Sequence, residues 1–391
     1  METIVPKISS SLSKMWTKIL NLENSLFPAL KEELRLEELS QKEQKLISIL
    51  DFAQIEKNIT VISITNTPKD REEIARAFIA KSVYNIQTTR DLINRLYCDR
   101  TLRILCGWRY KNDIPSESKF SRVFQELSEI NIAQKTHEKF VKEYLSQKTF
   151  FYNATDATKI PLRQKPVKKE KMEKVKHKAG RPKKGEAREP IKLSKLELQK
   201  DMKTVDELLS LVSTDCGVGI KQNSKGNREV WIGGKLHISA VDGDIPITAF
   251  YSGANVHDSS VALPLIAETS RRVNYLYDLQ DAGYDADIIR EFSIKYNHRP
   301  IIDINPKNSQ ALRDKIELIE DEQKKFEYFG LTQSLDTHHY NQRSMVERVN
   351  KYLKDDFGCD KIYYQGATKV ASVLAFGILS ICIHQSLQLV T

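Results

Sequence analysis

Tyr340, Arg343, Glu347 and Lys354 fit the spacing Y-x2-R-x3-E-x6-K without a gap. On a helix turning about 100° per residue, all four fall in one stripe about 60° wide. The opposite side carries Val346, Val349 and Leu353, a face suited to packing on a core. A single acid inside a basic, tyrosine-bearing stripe suits a site that holds a metal ion and a phosphate together. The competing reading is a solvated helix face with i,i+4 ion pairs, such as Glu347 with Lys351.

Two further acids lie where predicted strands end. Asp156 follows the β-rich run 149–154, and Asp281 follows a predicted strand over 275–279. In open α/β sheets, sites lie at the carboxyl ends of strands. Three carboxylates from separate elements can hold two divalent cations. One activates water or a 3′-hydroxyl, and the other stabilises the leaving oxygen of an in-line displacement at phosphorus. Oxygen ligands with open water positions suit Mg2+ or Mn2+. Taken singly, Asp156 reads as a turn residue and Asp281 as a cap before a predicted helix over 285–296. The combination with Glu347 is what points to chemistry.

The elements that must position these acids are legible in outline. Predicted strands over 231–241 and 246–251 are joined by Asp242, Gly243 and Asp244, a hairpin signal in which both acids serve the turn. Another strand is predicted over 299–304. The last 50 or so residues read as helical, apart from 359–365. Strands followed by strand–helix alternation predict an α/β domain with a mixed sheet. Upstream the pattern is helical. Leu12, Met15, Trp16, Ile19 and Leu20 make one apolar stripe, and Leu34, Leu36, Leu39 and Leu46 point to further helices. Asp70 reads as a cap before a helix over 71–79. Thr88 or Thr89 caps a helix through 91–98, and a short helix follows over 100–106. Ser116 or Ser118 caps a helix through 120–127, and another covers 135–144. Tight turns between short helices permit either a helix-turn-helix or a plain bundle. The predicted division is a helical region over 1–84, a helical unit over 85–147 and an α/β domain over 148–391.

The chain has 391 residues with 61 Lys and Arg against 52 Asp and Glu, a net charge of +9. That balance suits a polyanionic partner. Residues 163–190 hold 12 Lys and Arg against 4 Glu, so this one segment carries a net +8. Cys98, Cys106, Cys216, Cys359 and Cys382 form no C-x-x-C pair, which argues against structural zinc and a disulfide framework and for a reducing compartment. The start of the chain shows no signal-peptide pattern. The most apolar stretch, 371–383, is too short to span a bilayer and reads as a buried core helix, so no membrane partner is expected.

Five motifs in order give the chain a family resemblance. Tyr152 to Thr158 reads YNATDAT, 234–242 reads GKLHISAVD, 251–258 reads YSGANVHD, 281–285 reads DAGYD, and the stripe from Tyr340 to Lys354 completes the set. This resembles the DDE transposases of bacterial insertion sequences, in the group marked by the Y-x2-R-x3-E-x6-K signature. Residues 115–121, PSESKFS, resemble the N-terminal region of such enzymes. The resemblance implies a ribonuclease-H-like catalytic core, a mixed sheet flanked by helices, preceded by an all-α region. It implies Asp156, Asp281 and Glu347 as the catalytic, metal-holding acids with two Mg2+ or Mn2+ ions. Tyr340, Arg343, Lys351 and Lys354 would grip DNA phosphates, with Thr158, Tyr284, His257 and Asp258 in support. The implied reaction is cutting at the terminal inverted repeats of the element and joining of 3′-hydroxyls to target DNA. The partners would be double-stranded DNA and a second protomer, in the bacterial cytoplasm at the nucleoid. The stretch between Asp281 and Glu347 is short for the large β-rich insertion of some relatives.

The basic segment centres on Gly180, Arg181, Pro182, Lys183 and Lys184. This resembles an AT-hook, in which an Arg-Pro segment enters a narrow A·T minor groove. A solvated linker is the competing reading. His237 is expected to bond locally. Two other functions remain open at this point: a non-cutting DNA-binding derivative of a transposase, and a general ribonuclease-H-like nuclease.

Overall fold

The computed structural model describes residues 39–60, 69–167, 193–222, 226–305 and 335–389, with six positions between 310 and 318. The apolar stripe of residues 12–20, Leu34, Leu36 and nearly all of the basic segment lie outside the described residues. Leu46 is buried within a helix, as its pattern requires, while Leu39 is buried but precedes that helix.

Among the described residues, seven α-helices come first: α1 (Gln41–Ala53), α2 (Ile55–Thr60), α3 (Arg71–Val83), α4 (Thr89–Cys98), α5 (Arg100–Cys106), α6 (Glu117–Glu129) and α7 (Ile132–Tyr144). Thr88 caps α4, its hydroxyl accepting the Asp91 N–H at 3.1 Å. Ser116 caps α6 through the Lys119 N–H at 3.4 Å. Gly107 closes α5 at φ 113°, a left-handed conformation that favours glycine. Asp70 departs from its predicted role. It precedes α3 at φ 72° without capping it. Its carboxylate instead accepts from Trp108 Nε1 at 3.4 Å and from Lys119 Nζ, tying α3 to α6.

The sheet contains β1 (Thr149–Pro161), β2 (Gly217–Gln222), β3 (Arg228–Val241), β4 (Ile245–Gly253), β5 (Asn274–Gln280) and β6 (Arg299–Ile302). The order is β2-β3-β1-β5-β6, with β4 also paired to β3. β3 runs antiparallel to β1, β2 and β4, whereas β5 and β6 run parallel to β1. The predicted hairpin is the β3–β4 pair, turned by Gly243 at φ 82° and Asp244 at φ 58°. The remaining helices are α8 (Lys195–Gln199), α9 (Val205–Ser210), α10 (Ala262–Arg272), α11 (Asp287–Lys295), α12 (Leu335–Asn341), α13 (Ser344–Asp355) and α14 (Ala367–Gln388). α11 starts two residues later than predicted and is preceded by a 3-10 turn, Ala282–Tyr284.

Helices cover both faces of the sheet. On one face, Asp156 of β1 meets Asn350 of α13; on the other, Asp278 of β5, beside Asn153, meets Ser293 of α11. This is the mixed, helix-flanked sheet expected of a ribonuclease-H-like domain. α14 is longer than the apolar stretch that announced it. It has 22 residues, and by length and a mean hydropathy of 1.8 it would suit a bilayer, but 78% of that window is buried inside the protein. It is a core helix. Phe376 lies 5.7 Å from Phe78 of α3, which stacks on Phe124 of α6 at 4.1 Å. The end of the chain thus closes a core begun by its first helices. All five cysteines are free thiols.

Candidate active site

The parallel pairing of β1 with β5 builds the first half of the site. Tyr152 pairs with Tyr277, Ala154 with Leu279 and Thr155 with Gln280, where the pairing stops. Asp156 and Asp281 come next on the two strands, both on the face of Ala154 and Leu279. Neighbouring strands lie about 4.8 Å apart, so the register sets the two carboxylates side by side. The structure corrects one expectation. Asp156 is not at the end of its strand: β1 continues to Pro161 because β3 pairs it antiparallel over Asn153–Pro161. Only its parallel neighbour ends there. Asp281 does follow β5 directly, and its carboxylate also accepts the Gly283 N–H at 2.9 Å, so it caps the turn as well.

The stripe Tyr340 to Lys354 is not one helix. α12 ends at Asn341 and α13 begins at Ser344. The junction stays nearly helical, with Arg343 N–H donating to Tyr340 O at 2.9 Å and Val346 N–H to Arg343 O at 3.2 Å. The stripe therefore survives the break. The Arg343 guanidinium lies 5.7 Å from the centre of the Tyr340 ring and pairs with Glu347 Oε1 at 2.6 Å. Glu347 is thus paired one turn back with Arg343, whereas the competing solvated-face reading offered Lys351 one turn forward, which is exposed. A guanidinium docked on an aromatic ring keeps its fork pre-organised for a carboxylate. Val346, Val349 and Leu353 are fully buried and fix the opposite side of α13.

Two contacts that the sequence did not signal set the position of α13. Asn350 Nδ2 donates to Asp156 Oδ2 at 2.9 Å, linking the Glu347 helix to the first acid. Arg348 donates to both oxygens of Asp244 at 2.8 and 2.7 Å, tying α13 to the hairpin turn. Asp244 is therefore a helix anchor as well as a turn residue. Asn350 falls between the polar stripe and the apolar face, and that boundary position was its only hint.

Burial pushes the Asp156 carboxyl up to about 6; the Ala157 N–H, Lys221 and Arg343 oppose the shift and Asp281 adds to it. Burial works against the Arg343 charge, but Tyr340, Glu347 and Asp156 together hold it above its ordinary value. Burial lowers Lys354, with Asp360 and Asp156 pulling it up and Lys159 and Lys221 pushing it down. Tyr284 is 1% exposed and its hydroxyl has no hydrogen-bond partner. Burial, and then the charges of Asp258, Asp156 and Asp281, raise its pKa.

The other expected residues lie on the strands and turns of the same sheet. Thr158 is buried on β1, opposite Leu236. His257 caps the short turn that follows it, accepting the Ser259 N–H at 3.3 Å. Asp258 accepts from Lys235 Nζ at 2.8 Å. His237 is wholly buried and bonds Ser252 Oγ at 2.8 Å, the local role expected of it, and burial lowers its pKa to about 4. Asp242 accepts the Phe151 N–H at 2.6 Å. Arg181, Lys183 and Lys184 lie outside the described residues.

Among the described residues, no group of three or more His, Cys, Asp and Glu is close enough to hold a metal ion. The chemistry of the donor set nonetheless fits a hard divalent cation. Asp156 and Asp281 offer adjacent carboxylate oxygens, and a cation would relieve the burial that disfavours the Asp156 charge. Glu347 is held by Arg343 on the same side.

A helix-flanked mixed sheet with adjacent acids on β1 and just past β5 is the architecture expected of a ribonuclease-H-like domain. Residues 153–383, more than half of the chain, match the family described as Transposase DDE domain. Residues 32–126 match the family described as Transposase domain (DUF772). No curated protein and no solved structure matched. The chain belongs to the DDE transposases of insertion sequences. Its class of activity is that of a transposase and its partner is DNA; enzymes of this family generally depend on a divalent metal.

Proposed function

We propose that this chain binds the terminal inverted repeats of its element, cleaves DNA at the element ends and joins the freed 3′-hydroxyls to target DNA. The observation that carries this is the register of β1 and β5, which sets Asp156 beside Asp281 under the helix that bears Glu347. Asp156, Asp281 and Glu347 would hold the divalent ions, Mg2+ or Mn2+, two in number. Bound there, they supply activation of the attacking oxygen and stabilisation of the leaving one. Asn350 orients Asp156. Arg343, docked on Tyr340, offers a planar fork to a phosphate oxygen, and Lys351 and Lys354 add point charges along the same helix. When a phosphate engages Arg343, Glu347 is freed to turn toward the two aspartates.

On this reading 148–391 is the catalytic domain, 85–147 a helical DNA-binding unit and 1–84 a region for assembly or DNA binding. The basic segment with Arg181, Lys183 and Lys184 adds minor-groove affinity. Two ends must be brought together, so a dimer on DNA is expected, working at the nucleoid in the bacterial cytoplasm. The test is cleavage of labelled DNA carrying the inverted repeats that flank the gene, in Mg2+, Mn2+ and EDTA. Discrete cuts at the ends that vanish in EDTA and in Glu347→Gln support the reading. Tight end binding without cleavage by the wild type would leave a DNA-binding derivative, and cutting indifferent to the ends would leave a general nuclease.

A further inference from the structure

Beyond Asp156, the end of β1 carries Lys159 into a cluster of ammonium groups of which only Lys354 belongs to the signature. Glu229 on β3 is the cross-strand partner of Lys221 on β2. From β1, Lys159 Nζ reaches the same carboxylate at 2.7 Å. Lys354 approaches from α13, close enough for its charge to act on Lys159, Lys221 and Glu229. Asp156 in turn feels Lys221. The cluster is open to solvent, with the Lys159 and Glu229 side chains 41% and 48% exposed. Besides Asp156 of the carboxylate centre itself, Glu229 and Asp360 are the carboxylates that oppose these three ammonium groups, so positive charge remains in excess at the outer edge of that centre. Lys159 lies three residues past Asp156, about 10 Å along the strand.

We propose that Lys159 and Lys221, alongside the signature Lys354, extend the grip on the sugar-phosphate backbone of DNA, holding phosphates within about three nucleotides of the one that is cut. The location of the cut rests on the catalytic reading above; the lysine contacts do not. Lysine suits this task because its ammonium is a mobile point charge that reads no base. Glu229 occupies Lys159 when DNA is absent and repels the backbone when it arrives. The site therefore contributes affinity and salt dependence without sequence preference.

The test is equilibrium binding of the full chain to a labelled duplex ending in the inverted repeat, and to an unrelated duplex, in EDTA over a salt series. Wild type, Lys159→Gln/Lys221→Gln and Glu229→Gln are compared. Each phosphate contact contributes about 0.9 to the slope of log affinity against log salt. Losing two lowers the slope by about 1.8 on both duplexes, so the advantage of wild type over the double variant shrinks about tenfold between 50 and 200 mM salt. Glu229→Gln binds more tightly than wild type at low salt, a gain that misfolding cannot mimic. An unchanged slope in the double variant, or weaker binding by Glu229→Gln, overturns the inference. End-specific cleavage is scored on the same DNA in Mg2+. Its absence in wild type counts against the catalytic reading, while the salt slopes still judge the lysines.

Discussion

Asp156→Asn should stabilise the fold of the metal-free protein at neutral pH while removing its activity. In the folded chain burial lifts the Asp156 carboxyl from an ordinary 3.8 to about 6. Between those two values the folded state holds a proton that the unfolded state has released, so stability falls as pH rises through the window. Each pKa unit is worth about 1.4 kcal/mol, which makes the full penalty at pH 7 about 3 kcal/mol. Asparagine carries no charge, keeps the shape and still presents an oxygen to Asn350 Nδ2. The assay is urea denaturation of wild type and variant in EDTA at several pH values. The variant should be the more stable by up to about 3 kcal/mol at pH 7, with the gap closing as pH falls from 6 toward 4. Adding Mg2+ should narrow the gap at pH 7 by stabilising only the wild type. A variant less stable than wild type at pH 7, or a gap indifferent to pH, would refute the claim that burial strains this carboxylate.

Other outcomes follow from neighbouring contacts. Asp244→Ala removes the two-pronged anchor of Arg348, so it should cost roughly 1 kcal/mol in denaturation and slow end cleavage while DNA binding persists. Phe376→Ala opens a cavity against Phe78 and Phe124, and should lower stability by about 3–5 kcal/mol with the helices and the sheet affected together in one urea transition. Burial lowers His237 to about 4 and His137 to about 3, so both rings should remain neutral in an NMR titration down to pH 5. The unfolded state binds their protons first. Their contribution to stability is therefore complete above about pH 6.5 and declines as pH falls toward the folded values.

Much of this protein was legible in residue order. The helical caps, to within the choice of Thr88 or Thr89 and of Ser116 or Ser118, the β3–β4 hairpin and the buried final helix all follow from local chemistry: a hydroxyl before a helix, a Gly flanked by Asp, an apolar run. Such signals act within a few residues and need no partner. Asp281 was found where its strand ended, and Glu347 by its place in a stripe. The length of β1 was not legible, because its second half is held by β3, far away in the chain. Nor was the break between α12 and α13, since a nearly helical junction leaves the side-chain stripe intact.

The sequence by itself determined the inventory: three acids of the right type, a tyrosine-backed arginine, an excess of lysine and the periodicities that make helices and strands. Tertiary structure decided which of these meet. The parallel register of β1 and β5 set Asp156 beside Asp281. Arg343, rather than Lys351, took Glu347. Asn350, Arg348 and Asp244 became the struts of the glutamate helix. These pairings depend on register, strand length and the packing of Val346, Val349 and Leu353, which arise only when distant segments close on a shared core.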